Sequence, residues 1–526
     1  MSQAPTRWLV AGGLAAAATV LVVVAVLVGA SPGDPSPADA LPPSANVSPQ
    51  GSLPVRISGS PQEPRVPRGY LGLSIEFQAV RDYTGPNPHA LNPVLLQLIR
   101  NLSPGQAPVL RIGGDSTDMS WVAAPGVKAP AYRSYRLTPG WLATTAALAH
   151  QLNARMTMGV NLAANQPALA RAQARAYLRT IGRARISALE IGNEPNVYGK
   201  IEGLKIGPKH FRRARPRSYD YAHYAREFGA IAAALPRGAL AGPALAVGPK
   251  PDPGTWIGSI GKLLRAHPAL STLTVHRYPL RNCYVAPSSP QYPTVAHLLS
   301  SYATTTLAAS LKRWIQIAHS HHRRLRLDEL NSVACRGKAA ISDTFASALW
   351  VTDALFALAR AGVDGINMHT LPKAAYELFH FNHAATQWSA YVQPIYYGLT
   401  LFAQAAPAGA QLLTGSGPVT HSNVSVWATR ARDGRVRTAL VNENPRRTQT
   451  ISLRMPPGTT GTAQVTRLMA PSVSARTGVT WGGRGYGSAT TTGRLGPLHS
   501  QTLTPHRGVY TLSVPRGSAA LVTFPR

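Results

Sequence analysis

Cysteine is nearly absent from this chain. Cys283 and Cys335 are the only two in 526 residues, which excludes a disulfide scaffold and leaves stability to a packed core. Acidic residues are scarce as well, 21 against 53 lysines and arginines, for a net charge of +32. Such a surface field draws polyanions such as acidic polysaccharide, nucleic acid or phosphate-rich envelope polymers, although an arginine-rich composition general to the host gives the same excess. No internal repeat and no heptad pattern is present, so solenoids and long coiled coils are excluded. One long uncharged run stands out, from Trp8 to Ala30, after Arg7 and before Ser31-Pro-Gly-Asp-Pro35. It reads as an export segment, either a signal peptide with small residues for cleavage at Val28-Gly-Ala30 or an uncleaved membrane anchor. A secreted or cell-surface location is expected.

The length suits a barrel of roughly 250 or more residues with at least one further domain. Residues 1–30 form the export segment. Residues 31–52, rich in Pro, Ser, Ala and Gly, read as a flexible linker, and 53–70 as an N-terminal stretch whose strand Leu53–Ile57 returns to the C-terminal domain. From 71 to 405 short β-like runs alternate with helix-like segments: Leu71–Phe77, Val109–Ile112, Met156–Leu162, Ile186–Ile191, Leu245–Gly248, Leu273–His276, Leu325–Glu329 and Val363–His369. Ala146–Leu152 and Ala346–Ala359 have the composition of covering helices. The fold class is therefore α/β, a (β/α)8 TIM barrel. After residue 405 the texture changes to alternating Thr, Val, Ser and Gly, with Asp433-Gly434 as a hairpin signal, so 406–526 is expected to be an attached β-sandwich.

Chemistry is concentrated at two strand tips. Glu194 closes Ile186-Ser-Ala-Leu-Glu-Ile-Gly-Asn-Glu-Pro195 and Glu329 closes Leu325-Arg-Leu-Asp-Glu329. Two carboxyls on the C-terminal face of one barrel suit a reaction that needs a paired acid and nucleophile. Asp328 adjoins Glu329, but neighbours on a strand point to opposite faces, so alternation admits only one of them to the site. Glu190 shares the face of Glu194 at greater depth and reads as structural.

Several segments together resemble glycoside hydrolase family 79, the heparanase and β-glucuronidase family of the large retaining barrel clan. They are Leu71-Gly-Leu-Ser-Ile-Glu76, Leu110-Arg-Ile-Gly-Gly-Asp-Ser-Thr-Asp118, Gly159-Val-Asn161, Leu189-Glu-Ile-Gly-Asn-Glu-Pro-Asn196, Val275-His-Arg-Tyr278, Asp328-Glu-Leu-Asn-Ser332 and Asn367-Met-His-Thr370. The resemblance implies a retaining β-glycosidase acting on a glucuronide or acidic glycan, with Glu194 as acid and base and Glu329 as nucleophile. It further implies that Asn193 binds the sugar 2-hydroxyl, that Tyr278 steadies the nucleophile, and that Glu76, Asp115 and Asn161 bind hydroxyls. For the uronate carboxylate the family uses a tyrosine after strand eight, matched here by Tyr396, and backbone N–H groups in a glycine-bearing loop. That loop reads Ser332-Val-Ala-Cys-Arg-Gly337, a single Gly337 with Arg336 beside it, and Arg336 is itself a candidate partner for the carboxylate. Neither a cofactor nor a metal is expected. Endo-acting cleavage, another sugar specificity of the clan, and a non-catalytic basic glycan-binding surface protein are the competing readings.

Cys283 and Cys335 follow neighbouring strands and are expected to be bridged. Lys205, Lys209, Arg212, Arg213, Arg215 and Arg217 crowd the connection after Glu194, either as a solvated loop or as a funnel for polyanionic substrate; no specific nucleic acid is implied. His319, His321 and His322 fall on the opposite side of the barrel from the chemistry. Asn442-Glu-Asn-Pro445 repeats the Asn-Glu pattern only by coincidence.

Overall fold

The computed structural model describes residues 51–525 apart from 60–62, 207–209, 251–253, 255 and 385–386. The expected export segment, the linker up to residue 50 and Lys209 lie outside the described residues. Among the described residues no helix is long and apolar enough to cross a membrane.

Eight parallel strands close into a barrel in chain order: β1 Leu71–Glu76, β2 Val109–Gly113, β3 Arg155–Val160, β4 Ile186–Ile191, β5 Leu240–Ala246, β6 Leu270–His276, β7 Arg324–Leu330 and β8 Gly365–Thr370. β1 and β8 are buried along their whole length, as parallel strands covered on both faces are, and their polar members Ser74, Glu76, Asn367, His369 and Thr370 are buried with the rest. β5 differs from expectation. It begins at Leu240, five residues before the expected start, because Gly242-Pro243 reads as a break yet sits inside the strand, where the pairing with β6 shifts register on both sides. The irregularity has a use, since the Ala244 carbonyl is left free to accept the Glu194 N–H at 2.9 Å.

The helix Phe345–Ala361 is buried from Phe345 through Ala359, a pattern that requires cover on all sides. It lies between the barrel and the C-terminal domain. Its Phe356 stacks on Trp427 at 5.5 Å, and Asp353 accepts the Trp427 indole N–H. The C-terminal domain pairs an eight-stranded antiparallel sheet, which includes Val424–Arg430, Val436–Asn442, Ala463–Met469 and Ser518–Thr523, with a three-stranded sheet. In the smaller sheet Leu53–Arg56 lies parallel to Gln449–Arg454, which also pairs with Val509–Val514. Alternate residues of both sheets, among them Val55, Val426, Leu440, Ile451, Leu512 and Val522, form the domain's own core. The intervening positions Trp427, Ala439, Val441 and Leu521 join the barrel core instead.

Candidate active site

The strand ends open on a cavity of about 740 Å³, within the range of ligand pockets. Glu194 follows the β4 tip at a turn. Gly192 has φ +77°, and a Cβ there would stand 2.9 Å from Leu162, so only glycine fits. Glu194 itself adopts φ +50°, which aims its side chain at β6, where His276 Nδ1 lies 2.8 Å from its Oε1. Glu329 is fixed on the other side: Tyr278 Oη donates to its Oε1 at 2.8 Å and Arg111 Nη1 to its Oε2 at 3.0 Å. One oxygen each of Glu194 and Glu329 and a ring nitrogen of His276 lie within 4.8 Å of one another. That trio has the donor types to hold a metal ion, but its atoms are engaged with one another and with Tyr278 and Arg111.

Strand alternation fails at Asp328 and Glu329, and the expectation that Asp328 points away from the site is corrected. β7 carries one extra residue relative to both neighbours: Val275 and His276 of β6 face Leu327 and Glu329, while Ile366 and Met368 of β8 face Leu327 and Leu330. Regular alternation turns Asp328 inward with Arg326, and the bulge then turns Glu329 inward as well. Asp328 is buried, 3.2 Å from Arg111 Nε and 3.4 Å from His276 Nε2.

Arg111 is the hub of this network. A fully buried cation on β2, it donates to Glu190 at 2.6 Å, to Ser74 at 3.1 Å and to the Asn193 side-chain oxygen at 2.9 Å, besides Glu329. Glu190 thus sits deep in the barrel. Burial opposes ionisation of Glu329 more than any other single influence, but His369, His276, Arg111 and the Tyr278 hydroxyl together outweigh it and bring it down to about 2. Asp328 is likewise held well below the carboxylate range, against burial, by Arg111 and His276. Glu190 goes the other way: burial pushes it up to about 8, with Asp328 adding to the rise and Arg111 opposing it. For His276, burial favours the neutral ring, but Glu329 and Asp328 prevail and hold it well above the usual imidazole range.

These directions set the pH dependence of stability. Glu190 and His276 bind protons more tightly folded than unfolded, so their contribution is complete below the unfolded values and is lost as pH rises through the folded ones. Glu329 and Asp328 contribute above the unfolded carboxylate range and lose that contribution as pH falls towards 2. Stability is expected to peak on the acid side of neutrality and to decline between the ordinary Glu value of 4.5 and about 8. Glu190→Gln should flatten that decline. Melting temperatures measured from about pH 4 to 9 check it, and a wild-type Tm that climbs steadily across that range contradicts it.

Other expected residues divide. Asn193 lines the cavity, its amide donating to Asp115 Oδ1 at 3.2 Å while its backbone N–H reaches Asp118 at 3.2 Å. Glu76 and Asp115 line it too, although the Glu76 carboxylate already accepts the N–H groups of Asp115 and Ser116 and the Ser116 hydroxyl. Arg336 is exposed on the wall, donating to the Pro372 carbonyl at 3.3 Å. Three placements are corrected. Asn161 is wholly buried beneath the rim, where its amide holds the Asp118 and Ser120 carbonyls. Gly337 spends its N–H on the Val333 carbonyl in a tight turn packed on Tyr376, so that group is not offered to a ligand. Tyr396 lies on the outer helix Pro394–Ala405, fully buried, donating to the Leu98 carbonyl at 2.8 Å, because the hairpin Phe379–Val392 intervenes between it and β8.

The tyrosine that does line the cavity after β8 is Tyr376, its ring 5.7 Å from His369 and 6.3 Å from Tyr278. Arg111, His276, His369, Asp118 and Tyr376 are the cavity and network residues for which the sequence reading gave no role. For Arg111, His276 and His369 the available signal is a charged or imidazole side chain inside a barrel strand; Asp118 and Tyr376 lie in connections and leave none. Cys283 and Cys335 are bridged, with Cα atoms 6.1 Å apart, and both line the wall. The basic connection is only partly free. Arg215 is bonded to Glu227 at 2.9 Å and to the Leu162 and Ala163 carbonyls, and Arg213 pairs with Glu202, while Arg212 and Arg217 are exposed among the described side chains.

A closed (β/α)8 barrel with two facing carboxylates at its C-terminal mouth and a packed β domain behind it defines the chain as a glycoside hydrolase of the large barrel clan. Residues 422–521 match the glycosyl hydrolase family 79 C-terminal beta domain. A 4-O-α-L-rhamnosyl-β-D-glucuronidase from Fusarium oxysporum shares the fold at a TM-score of 0.71 and 20% identity, over 90% of this chain and 100% of that one. The GH51 arabinofuranosidase from Xanthomonas axonopodis pv. citri aligns at 0.60 and 14% identity, over 90% and 100%. The GH51 α-L-arabinofuranosidase from Thermotoga petrophila aligns at 0.61 and 15%, over 89% and 99%. No curated protein matches this chain.

Proposed function

We propose that the protein is an exported, retaining β-glucuronidase. The observation that carries the reading is the carboxyl pair. An oxygen of Glu194 lies within 4.8 Å of one of Glu329, close to the roughly 5–5.5 Å of retaining enzymes and short of the wider gap in which inverting enzymes hold a water. Glu329 attacks the anomeric carbon, forming an ester as the bond to the leaving oxygen breaks, and Glu194 gives that oxygen its proton. Glu194 then takes a proton from the water that cleaves the ester. The cations Arg111 and His276 keep Glu329 ionised for attack.

Glucuronate specificity rests on the family resemblance, with the Fusarium glucuronidase as a structural neighbour. The chain offers Arg336 and the Tyr376 hydroxyl on the wall beside Glu329 for the carboxylate, Tyr376 taking the part expected of Tyr396. Export is supported by the uncharged run Trp8 to Ala30 and by the disulfide. A panel of aryl β-D-glucuronide, β-D-glucoside and α-L-arabinofuranoside tests the reading. Hydrolysis of the glucuronide at least about 100-fold faster than either neutral glycoside is expected, with a β-configured first product seen by NMR. Turnover of neutral glycosides alone would reject the specificity, and an α-configured product the mechanism.

A further inference from the structure

Large apolar side chains are exposed at few places, and their distribution is uneven. Among the described residues they are Ile201, Ile206, Phe211, Tyr284 and Leu498; the first four lie on the connections after β4 and β6, the two that flank the acid side of the cavity. Ile201 and Tyr284 line the cavity itself, 38% and 78% exposed. Val197, Leu204 and Val247 continue the same wall. Apolar surface gathered at a mouth, rather than scattered, marks a contact surface.

The position of this wall fixes what touches it. A leaving group must place its oxygen against Glu194, and Val197, Ile201 and Leu204 follow Glu194 directly in the chain. Tyr284 lines the same cavity, next to Cys283, whose bond to Cys335 ties the β6 connection to the β7 connection. We propose that this wall is a leaving-group subsite for a flat apolar or aromatic aglycone, with the Tyr284 ring as its platform. Saccharide leaving groups, which need hydrogen-bond partners on both edges, are served less well by Val197, Ile201, Leu204 and Val247.

The inference rests on the glucuronidase reading, and one experiment separates the two. Phenyl and 2-naphthyl β-D-glucuronides, whose leaving groups differ little in acidity, are compared with a glucuronyl disaccharide by kcat/KM. The naphthyl compound is expected to exceed the phenyl one about fivefold, the effect of part-burying a second ring. Tyr284→Ala should bring that ratio close to one, and Ile201→Ser should lower it independently. Turnover of glucuronides with a ratio unchanged in both variants overturns the subsite, as does a disaccharide hydrolysed faster than either aryl compound. Failure to hydrolyse any β-glucuronide removes the underlying reading, and the subsite with it.

Discussion

Glu329→Gln should reduce turnover of every glycoside by on the order of 10⁴-fold or more, with no dependence on the leaving group. The amide keeps shape and leaves Tyr278 and Arg111 in place, but it cannot form the ester. Glu194→Ala should behave differently. It should lose about 10²–10⁴-fold on substrates with poor leaving groups, and far less on those whose aglycone is already acidic, because protonation of the departing oxygen then matters little. Azide should restore turnover in Glu194→Ala, since it attacks the glycosyl ester without a base, and a β-glycosyl azide should accumulate. Steady-state kinetics on nitrophenyl and alkyl glucuronides, with and without azide, reads all of this. Rescue of Glu329→Gln rather than Glu194→Ala would exchange the two assignments.

Asp328→Asn should be nearly as damaging, for a different reason. Alternation along β7 puts Asp328 in the barrel interior on the side of Arg326, beside Arg111 and His276. Removing one charge from a buried network leaves the others uncompensated, a loss of roughly 3–5 kcal/mol. Denaturant titration should show that loss. Activity should fall as well, because His276 loses a carboxylate that holds its proton and Arg111 loses a tether near Glu329. A variant as stable and active as the wild type would instead mean that Asp328 faces away from this network and that Glu329 alone turns inward.

How much of this was legible in the sequence depends on what kind of signal each element leaves. The barrel strands were readable because parallel strands covered on both faces are nearly continuous apolar runs; β5 was cut short because Gly242-Pro243 carries the signature of a turn. Glu194 and Glu329 were readable as carboxyls at strand tips. That Asp328 and Glu329 both turn inward was not, since a single extra residue in one strand changes nothing in composition and only its neighbours' register exposes it. Tyr376 and Tyr396 show a related blind spot. Both follow β8, but only the path of the chain reveals that Tyr396 has passed to the outside of the barrel, over the hairpin Phe379–Val392.

The strand Leu53–Arg56 completes a sheet whose other members come from the far end of the chain. The Ser52 and Ser452 hydroxyls meet at 2.9 Å although they are 400 residues apart in sequence. At synthesis rates of about 5–20 residues per second, the first strand waits roughly 20–80 s for its partner to be made. Over that interval Gln449–Arg454 does not yet exist, and the early strand offers an unpaired edge to any other chain nearby. Yield on expression is therefore governed by what shields that edge while the barrel forms behind it, and a second copy exchanging the same strand is the misassembly to look for at high concentration.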